Sequence, residues 1–156
     1  MTEPLRLSRS PDTWRPGSWE PGRLGLRDSI GITVLLIAVA MVRGIDYITP
    51  APISTTALSI VEQAAPLWAW GCGFMIPAVV LAASTLTRVH LGVWVGHWLL
   101  AIAYVSLAVG LGAEYVTRPW LDGIRSATAM MLPAILHCTV AVRTGWRPPR
   151  WTPQTS

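Results

Sequence analysis

The chain has 156 residues, of which 52% are apolar and only 13% are charged, and its net charge is +4. A soluble domain carries roughly 25% charged residues, so this composition excludes an ordinary soluble protein. All of its basic residues are arginines that lie mainly in short segments beside apolar runs, which predicts contact with anionic membrane lipid and no binding of nucleic acid.

The N-terminal part of the chain predicts a tail followed by a weak first span. Residues 1–28 are rich in Pro, Gly, Arg and Ser and predict a flexible cytoplasmic tail. Asp28 or Ser29 is then a suitable N-cap for a helix over 29–48. Arg43 interrupts this span as an interfacial anchor, since it can extend to the membrane surface or pair with Asp46.

A cleaved secretory signal is the alternative for this first span. Ala38-Val39-Ala40 resembles a small-residue cleavage site after a short apolar core. The leader of 28 residues is long for a signal peptide, however, and apolar residues continue past the site. We therefore interpret the segment as a retained span.

The second span is predicted at 67–86, after an outer loop at 49–66. Two prolines at the start of this loop, in residues 49–52, should break the helix, and its later part is mildly amphipathic. Pro66 suits the first turn of a helix, where a missing N–H costs little. Trp68 and Trp70 stand at the start of the span, where an aromatic belt is expected at headgroup depth.

The C-terminal half predicts two further spans. Residues 87–90 allow only a tight turn, so the third span, 91–113, forms a hairpin with the second. A polar loop with Trp120 as an interfacial anchor precedes the fourth span, 124–142. A short cytoplasmic tail, 144–156, completes the chain.

These elements predict an all-α membrane protein, an antiparallel bundle of four transmembrane helices over residues 29–143. Four spans place both termini and the 87–90 turn on one side with nine arginines, against three on the other side. By the positive-inside rule, both termini are expected in the cytoplasm and the protein in the bacterial cytoplasmic membrane. Removal of the first segment would leave the C-terminal arginines on the wrong face.

Ionisable residues inside a span are functional candidates, because lipid makes them costly. His97 and Tyr104 share a helix face with His90, which suggests a proton path or half of a metal site. We favour a neutral His97 hydrogen-bonded to a neighbouring helix, since no second ligand has a recognisable spacing. His137 adjoins Cys138, but adjacent residues on a helix point about 100° apart and do not readily bind one metal.

Charged residues also surround the last outer loop. Glu114, Arg118, Asp122 and Arg125 are explained by a solvated group of interfacial ion pairs, which contributes little energy. The sequence contains no visible nucleophile–base pair, phosphate loop or paired carboxylate within the membrane. We therefore expect no enzymatic activity, no catalytic residue, no metal and no cofactor.

Small residues recur at a spacing of four, which lets helix backbones approach closely. The candidate packing residues are Gly92, Gly96, Ser106, Gly110, Gly112, Ala78 and Ala82. The pattern predicts tight helix packing and leaves open whether it joins helices of one subunit or of several.

Three stretches resemble small four-span membrane proteins of phages that infect GC-rich actinobacteria. They are residues 66–71, residues 96–100 with 108–110, and residues 122–125 followed by His137. The absence of lysine and asparagine agrees with a GC-rich gene. The resemblance implies a holin, which oligomerises in the host membrane and permeabilises it for an endolysin during lysis. Many holins end in a densely charged tail, whereas this chain ends with Arg143, Arg147 and Arg150.

Three functional hypotheses follow from the sequence. A holin-like protein would form a homo-oligomer through its small-residue faces. A non-lytic exclusion or immunity factor would bind another envelope protein through residues 49–66 and the N-terminal tail. A small transporter or sensor subunit would need a polar site within the membrane, for which His97 and His137 are the candidates.

Overall fold

The computed structural model describes residues 16–19, 26–49, 60–117 and 123–145. The regular structure in these ranges is helical, as the sequence predicts. The helices are α1 (Leu26–Ile48), α2 (Ile60–Gln63), α3 (Leu67–Thr87), α4 (His90–Thr117) and α5 (Gly123–Thr144). The protein is an all-α antiparallel bundle.

Four of the helices are long and apolar enough to cross a bilayer, which requires roughly 20 residues. The candidate spans are Ser29–Ile48, Leu67–Thr87, His90–Tyr115 and Ala127–Thr144. They agree with the predicted spans to within a few residues, and the chain is a multi-span membrane protein.

The predicted N-cap of the first span is wrong. Helix α1 begins at Leu26, so Asp28 and Ser29 lie inside its first turns. An acidic residue is also favourable there, because the helix dipole is positive at the N-terminus. Asp28 thus fits a helix that begins at Leu26, three residues before the predicted first helical residue.

The turn between α3 and α4 is as tight as predicted. Arg88 adopts a left-handed conformation with φ 55° and ψ 39°. Its N–H bonds to the carbonyl of Thr85, and the N–H of Val89 bonds to the carbonyl of Ser84 at 2.8 Å. This pair of bonds satisfies carbonyls that the end of a helix leaves without partners.

Residues 16–19 pack against this turn, which differs from the flexible tail expected for residues 1–28. The amides of Gly17 and Trp19 donate to the carbonyls of Thr87 and Arg88 at 3.1 and 2.8 Å. The amide of His90 donates to Ser18 Oγ at 3.1 Å. Trp19 is buried. The tail supplies partners that two helix ends lack.

The long helices pack in chain order, α1 against α3, α3 against α4, and α4 most extensively against α5. Close backbone approach explains two of these contacts. A Cβ on Gly71 would lie 2.9 Å from the carbonyl oxygen of Gly44, and a Cβ on Gly96 would lie 2.9 Å from Leu81 Cβ. Helices α1 and α5 make little contact, so the bundle has an open seam between its first and last helices.

Candidate functional site

A pair of histidines lies in the centre of the bundle. His97 of α4 and His137 of α5 are both fully buried, and their Nδ1 atoms are 2.8 Å apart. The ring centroids are separated by 5.0 Å. His97 lies about 10 Å along α4 from its first residue, so the pair is well inside the membrane.

The contact between the two Nδ1 atoms restricts their protonation. A hydrogen bond needs one donor and one acceptor, so at least one ring is neutral and carries its proton on Nε2. Both Nε2 atoms are buried and have no hydrogen-bond partner among the described residues. A buried polar atom without a partner costs about 1–3 kcal/mol, so the pair is not explained by stability.

An aromatic series extends from the histidines across the bundle. The Tyr104 ring stacks on His137 with centroids 5.8 Å apart, and its edge contacts Phe74 at 4.9 Å. Phe74 in turn stacks on Tyr47 of α1 at 6.1 Å. The hydroxyl of Tyr104 is buried without a partner in the described part of the chain. The series therefore connects α5, α4, α3 and α1.

Polar contacts terminate this series at the end of α1. The Tyr47 hydroxyl donates to a carboxylate oxygen of Glu62 in α2. The Arg43 guanidinium lies 5.6 Å from the centre of the Tyr47 ring and 3.7 Å from the Asp46 carboxylate. Pairing with Asp46 was one of the two alternatives predicted for Arg43, and the structure shows it.

His90 lies at the opposite end of α4. Its Nε2 is 3.0 Å from the carbonyl oxygen of Gly145, so this nitrogen carries a proton and donates. His90, His97 and Tyr104 are all buried, so the face that they share points into the bundle. We refer to these three residues with His137, Tyr47 and Glu62 as the polar column.

All of the predicted packing glycines except Gly112 allow another element of the same subunit to approach closely. A Cβ on Gly92 would collide with the Ser84 side chain, and one on Gly110 would collide with Val61. A Cβ on Gly112 would meet nothing within 4 Å in the described chain.

The other predicted packing positions differ in burial. Ala78 is fully buried in α3, and Ala82 is half-buried. The hydroxyl of Ser106 is exposed and bonds to the carbonyl of Ile102 on its own helix at 2.9 Å. Ser106 therefore contributes no hydroxyl contact between the described helices.

The interfacial anchors have separate environments. Trp68 is 64% exposed, as an anchor at the membrane surface requires. Trp70 is half-buried and packs against the core, and its ring nitrogen is buried. Trp120 lies outside the described residues. Glu114, expected in a solvated ion-pair group, is buried, whereas Arg118, Asp122 and the side chain of Arg125 lie outside the described residues.

The two imidazoles are the potential metal ligands at the centre. In the described ranges, no group of three or more His, Cys, Asp or Glu side chains could hold a metal ion.

The chain matches no protein-family model, no curated protein and no solved structure. The arrangement of its side chains is therefore the basis for assigning a function.

The predicted hydrogen bond from His97 to a neighbouring helix is confirmed, but its partner His137 was not predicted, although the sequence contained a signal for it. His97 is seven residues after the start of α4, and His137 is seven residues before the end of α5. In an antiparallel pair of helices, such positions lie at the same depth. Depth matching of polar residues on consecutive spans would have brought the two histidines together.

Proposed function

We propose that this protein is a small transporter subunit that passes protons through the membrane at the His97–His137 pair. The observation that carries the proposal is the burial of both rings with neither Nε2 atom hydrogen-bonded among the described residues. Two apolar side chains would fill the same space without that cost. Ionisable groups inside a span are retained for function by default.

The chemistry of imidazole supports proton transfer at this pair. Histidine gains and loses a proton more readily near neutral pH than any other ordinary side chain. When the pair carries one extra proton, both Nε2 atoms are protonated, and the proton between the two Nδ1 atoms can move from the charged ring to the neutral one, which exchanges their roles. If both rings became doubly protonated, both Nδ1 atoms would be donors and the 2.8 Å contact could not persist. Proton loading is thereby coupled to the contact between α4 and α5.

The polar column supplies groups at both ends of the bundle. His90 lies at the end that contains Gly145, and Glu62 lies with Tyr47 at the opposite end. The interval between His90 and His97 is seven residues, about 10 Å of helix, so water must complete the path during transfer.

A flux measurement tests this proposal. Purified protein is placed in liposomes that contain a pH-sensitive dye, and a potassium gradient with valinomycin drives protons inward. We expect wild-type protein to acidify the lumen faster than protein-free liposomes. His97→Phe and His137→Phe should reduce the rate to that of empty liposomes.

Thr139→Val is the matched control for these variants. Thr139 lies two residues after His137 on α5, but it is exposed and its hydroxyl bonds to its own helix at Ile135. The control should retain the wild-type rate. Wild-type protein that conducts no faster than empty liposomes would exclude proton transport.

A second candidate is the holin-like function, in which copies of the chain assemble and permeabilise the membrane during lysis. Gly112 favours it, because a Cβ at this position would meet nothing within 4 Å among the described residues, and a small residue on an open helix face lets the helix of another copy approach closely. Gly112→Leu should delay the loss of membrane potential after induced expression, while Ala83→Leu, at an exposed position of α3, should not. Unaffected growth and potential at high expression would contradict this candidate.

A further inference from the structure

The seam between α1 and α5 contains a groove of about 580 Å³. One wall consists of α1 from Leu35 to Asp46, about 16 Å of helix, and the other consists of α5 from Ala129 to Leu136. Tyr104 of α4 contributes to the lining between them. The volume falls within the range of roughly 300–1,000 Å³ that is typical of ligand sites.

The groove is apolar along most of its length and opens sideways from the bundle. Its rim residues Leu35, Val42 and Leu132 are 62%, 69% and 62% exposed. In a membrane, these apolar side chains face lipid. The opening is therefore accessible to a molecule that is already dissolved in the bilayer.

Both charges of the groove are at one end. Arg43 and Asp46 lie within the last turns of α1, which ends at Ile48, and so they stand near the membrane surface. Their charged groups are 3.7 Å apart. A cation and an anion side by side at the surface end of an apolar groove complement a zwitterionic phospholipid, which has a phosphate and an amine in its headgroup and apolar acyl chains below it.

The Arg43 guanidinium has capacity for a further acceptor. It presents five N–H donors, and one of them contacts Met130 Sδ at 3.0 Å, a weak acceptor. The distance of 3.7 Å to Asp46 is too long for a hydrogen bond. Guanidinium groups bind phosphate through two parallel hydrogen bonds, which this geometry leaves room to form.

A second protein helix fits the groove poorly. An apolar helix along the groove would have to cover the charges of Arg43 and Asp46 with apolar side chains, which costs desolvation energy. A lipid places only an acyl chain in the apolar part of the groove and brings its own charged headgroup to these two side chains.

We propose that the groove binds a phosphatidylethanolamine molecule, with an acyl chain between α1 and α5, its phosphate on Arg43 and its amine on Asp46. Asp46 is well placed for the amine because its side chain is 69% exposed. This inference is independent of the proposed proton transport, since it rests on a different set of contacts. Lipid bound here lies against Tyr104, the neighbour of His137.

Native mass spectrometry of the purified chain in detergent tests this site. The protein is titrated with dioleoyl phosphatidylethanolamine or with dioleoyl phosphatidylglycerol, and the fraction that retains one lipid is measured. Wild-type protein should retain the ethanolamine lipid at least tenfold better. Arg43→Gln should weaken both lipids, and Asp46→Asn should abolish the preference between them.

Blocking variants test the acyl-chain part of the site. Ala129→Phe and Val39→Trp fill the groove from opposite walls, and both positions are exposed, so the fold tolerates them. Each should lower lipid retention at least tenfold, whereas Ala83→Phe, an exposed alanine outside the groove, should match wild type. Retention unchanged in both blocking variants would overturn the site.

Two other outcomes would also overturn the proposal. Equal retention of the two lipids by wild-type protein would remove the assignment of the amine to Asp46. A lipid-free dimer that both blocking variants dissociate would identify a second copy of the chain as the occupant.

Discussion

Replacement of Gly96 by alanine should weaken the contact between α3 and α4. The added Cβ would lie 2.9 Å from Leu81 Cβ and 3.2 Å from Leu81 Cα, whereas carbon atoms pack best at about 3.5–4.0 Å. Because Leu81 Cα belongs to the backbone, a side-chain rotation cannot relieve the overlap. The two helices must move apart by about half an ångström, and overpacking of this kind costs about 1–3 kcal/mol.

Gly112→Ala provides the matched control on the same helix. Its Cβ would meet nothing within 4 Å in the described chain, so only the helix propensity changes, which favours alanine by about 0.5–1 kcal/mol. Gly96→Ala gains the same propensity, because both glycines lie inside α4, so the two variants should differ by the overpacking cost alone, about 1–3 kcal/mol in the free energy of unfolding. At about 2–4 °C per kcal/mol, Gly96→Ala should melt roughly 2–12 °C below Gly112→Ala.

The two free cysteines provide the assay. Cys72 and Cys138 are half-buried in spans, so a thiol-reactive dye reports their exposure as detergent-solubilised protein is heated. Equal melting temperatures for the two variants, or a higher one for Gly96→Ala, would refute the close approach of α3 and α4. Circular dichroism at low temperature should show equal helix content in both variants.

Three further predictions concern the pair, the tail and the turn. His97→Leu should destabilise the bundle by about 1–3 kcal/mol, because it leaves His137 Nδ1 without its partner. The double variant with His137→Leu should cost less than the two single changes together. Additive shifts in melting temperature would contradict the contact between the two rings. Ser18→Ala should speed hydrogen exchange of the His90 amide, whose acceptor it removes, and unchanged protection would mean that the tail does not hold the turn. Arg88→Gly should raise the melting temperature by about 2–4 °C, because glycine adopts the left-handed conformation without the cost of about 1 kcal/mol that a side chain carries; no gain would show that the conformation is unstrained.

The spans could be predicted because apolar length alone determines whether a helix crosses a bilayer. The local signals at their ends were less informative. Asp28 suits an N-cap and a first turn equally, and the structure uses it in a first turn. Glu114 was expected in solvent from its place beside a loop, yet it is buried, because α4 continues to Thr117. The length of α4 determined the environment of Glu114, and the charge of its side chain did not.

The candidate site was predictable only in part. The shared face of His97 and Tyr104 follows from their spacing on one helix, and the structure places both residues inside the bundle. The partner of His97 on α5 and the contact between Tyr104 and Phe74 depend on how separate helices are rotated and at what depth they lie. The residue pattern within a single helix does not specify either quantity. The groove has the same origin, since it exists because the backbones of α1 and α5 lie apart, although the Arg43 side chain reaches Met130 across it.

The contacts at one end of the bundle have a consequence for membrane insertion. The tail at residues 16–19 is bonded to the α3–α4 turn, and His90 of that turn is bonded to Gly145 after α5. Three segments far apart in sequence must therefore reach the same compartment before the bundle can form. A folded molecule cannot have one of these segments on the opposite side of the membrane from the other two. Changing the charges of one segment should therefore either reverse the orientation of all the helices together or leave the chain unfolded. Reporters of membrane side that are fused to the two termini should always indicate the same compartment.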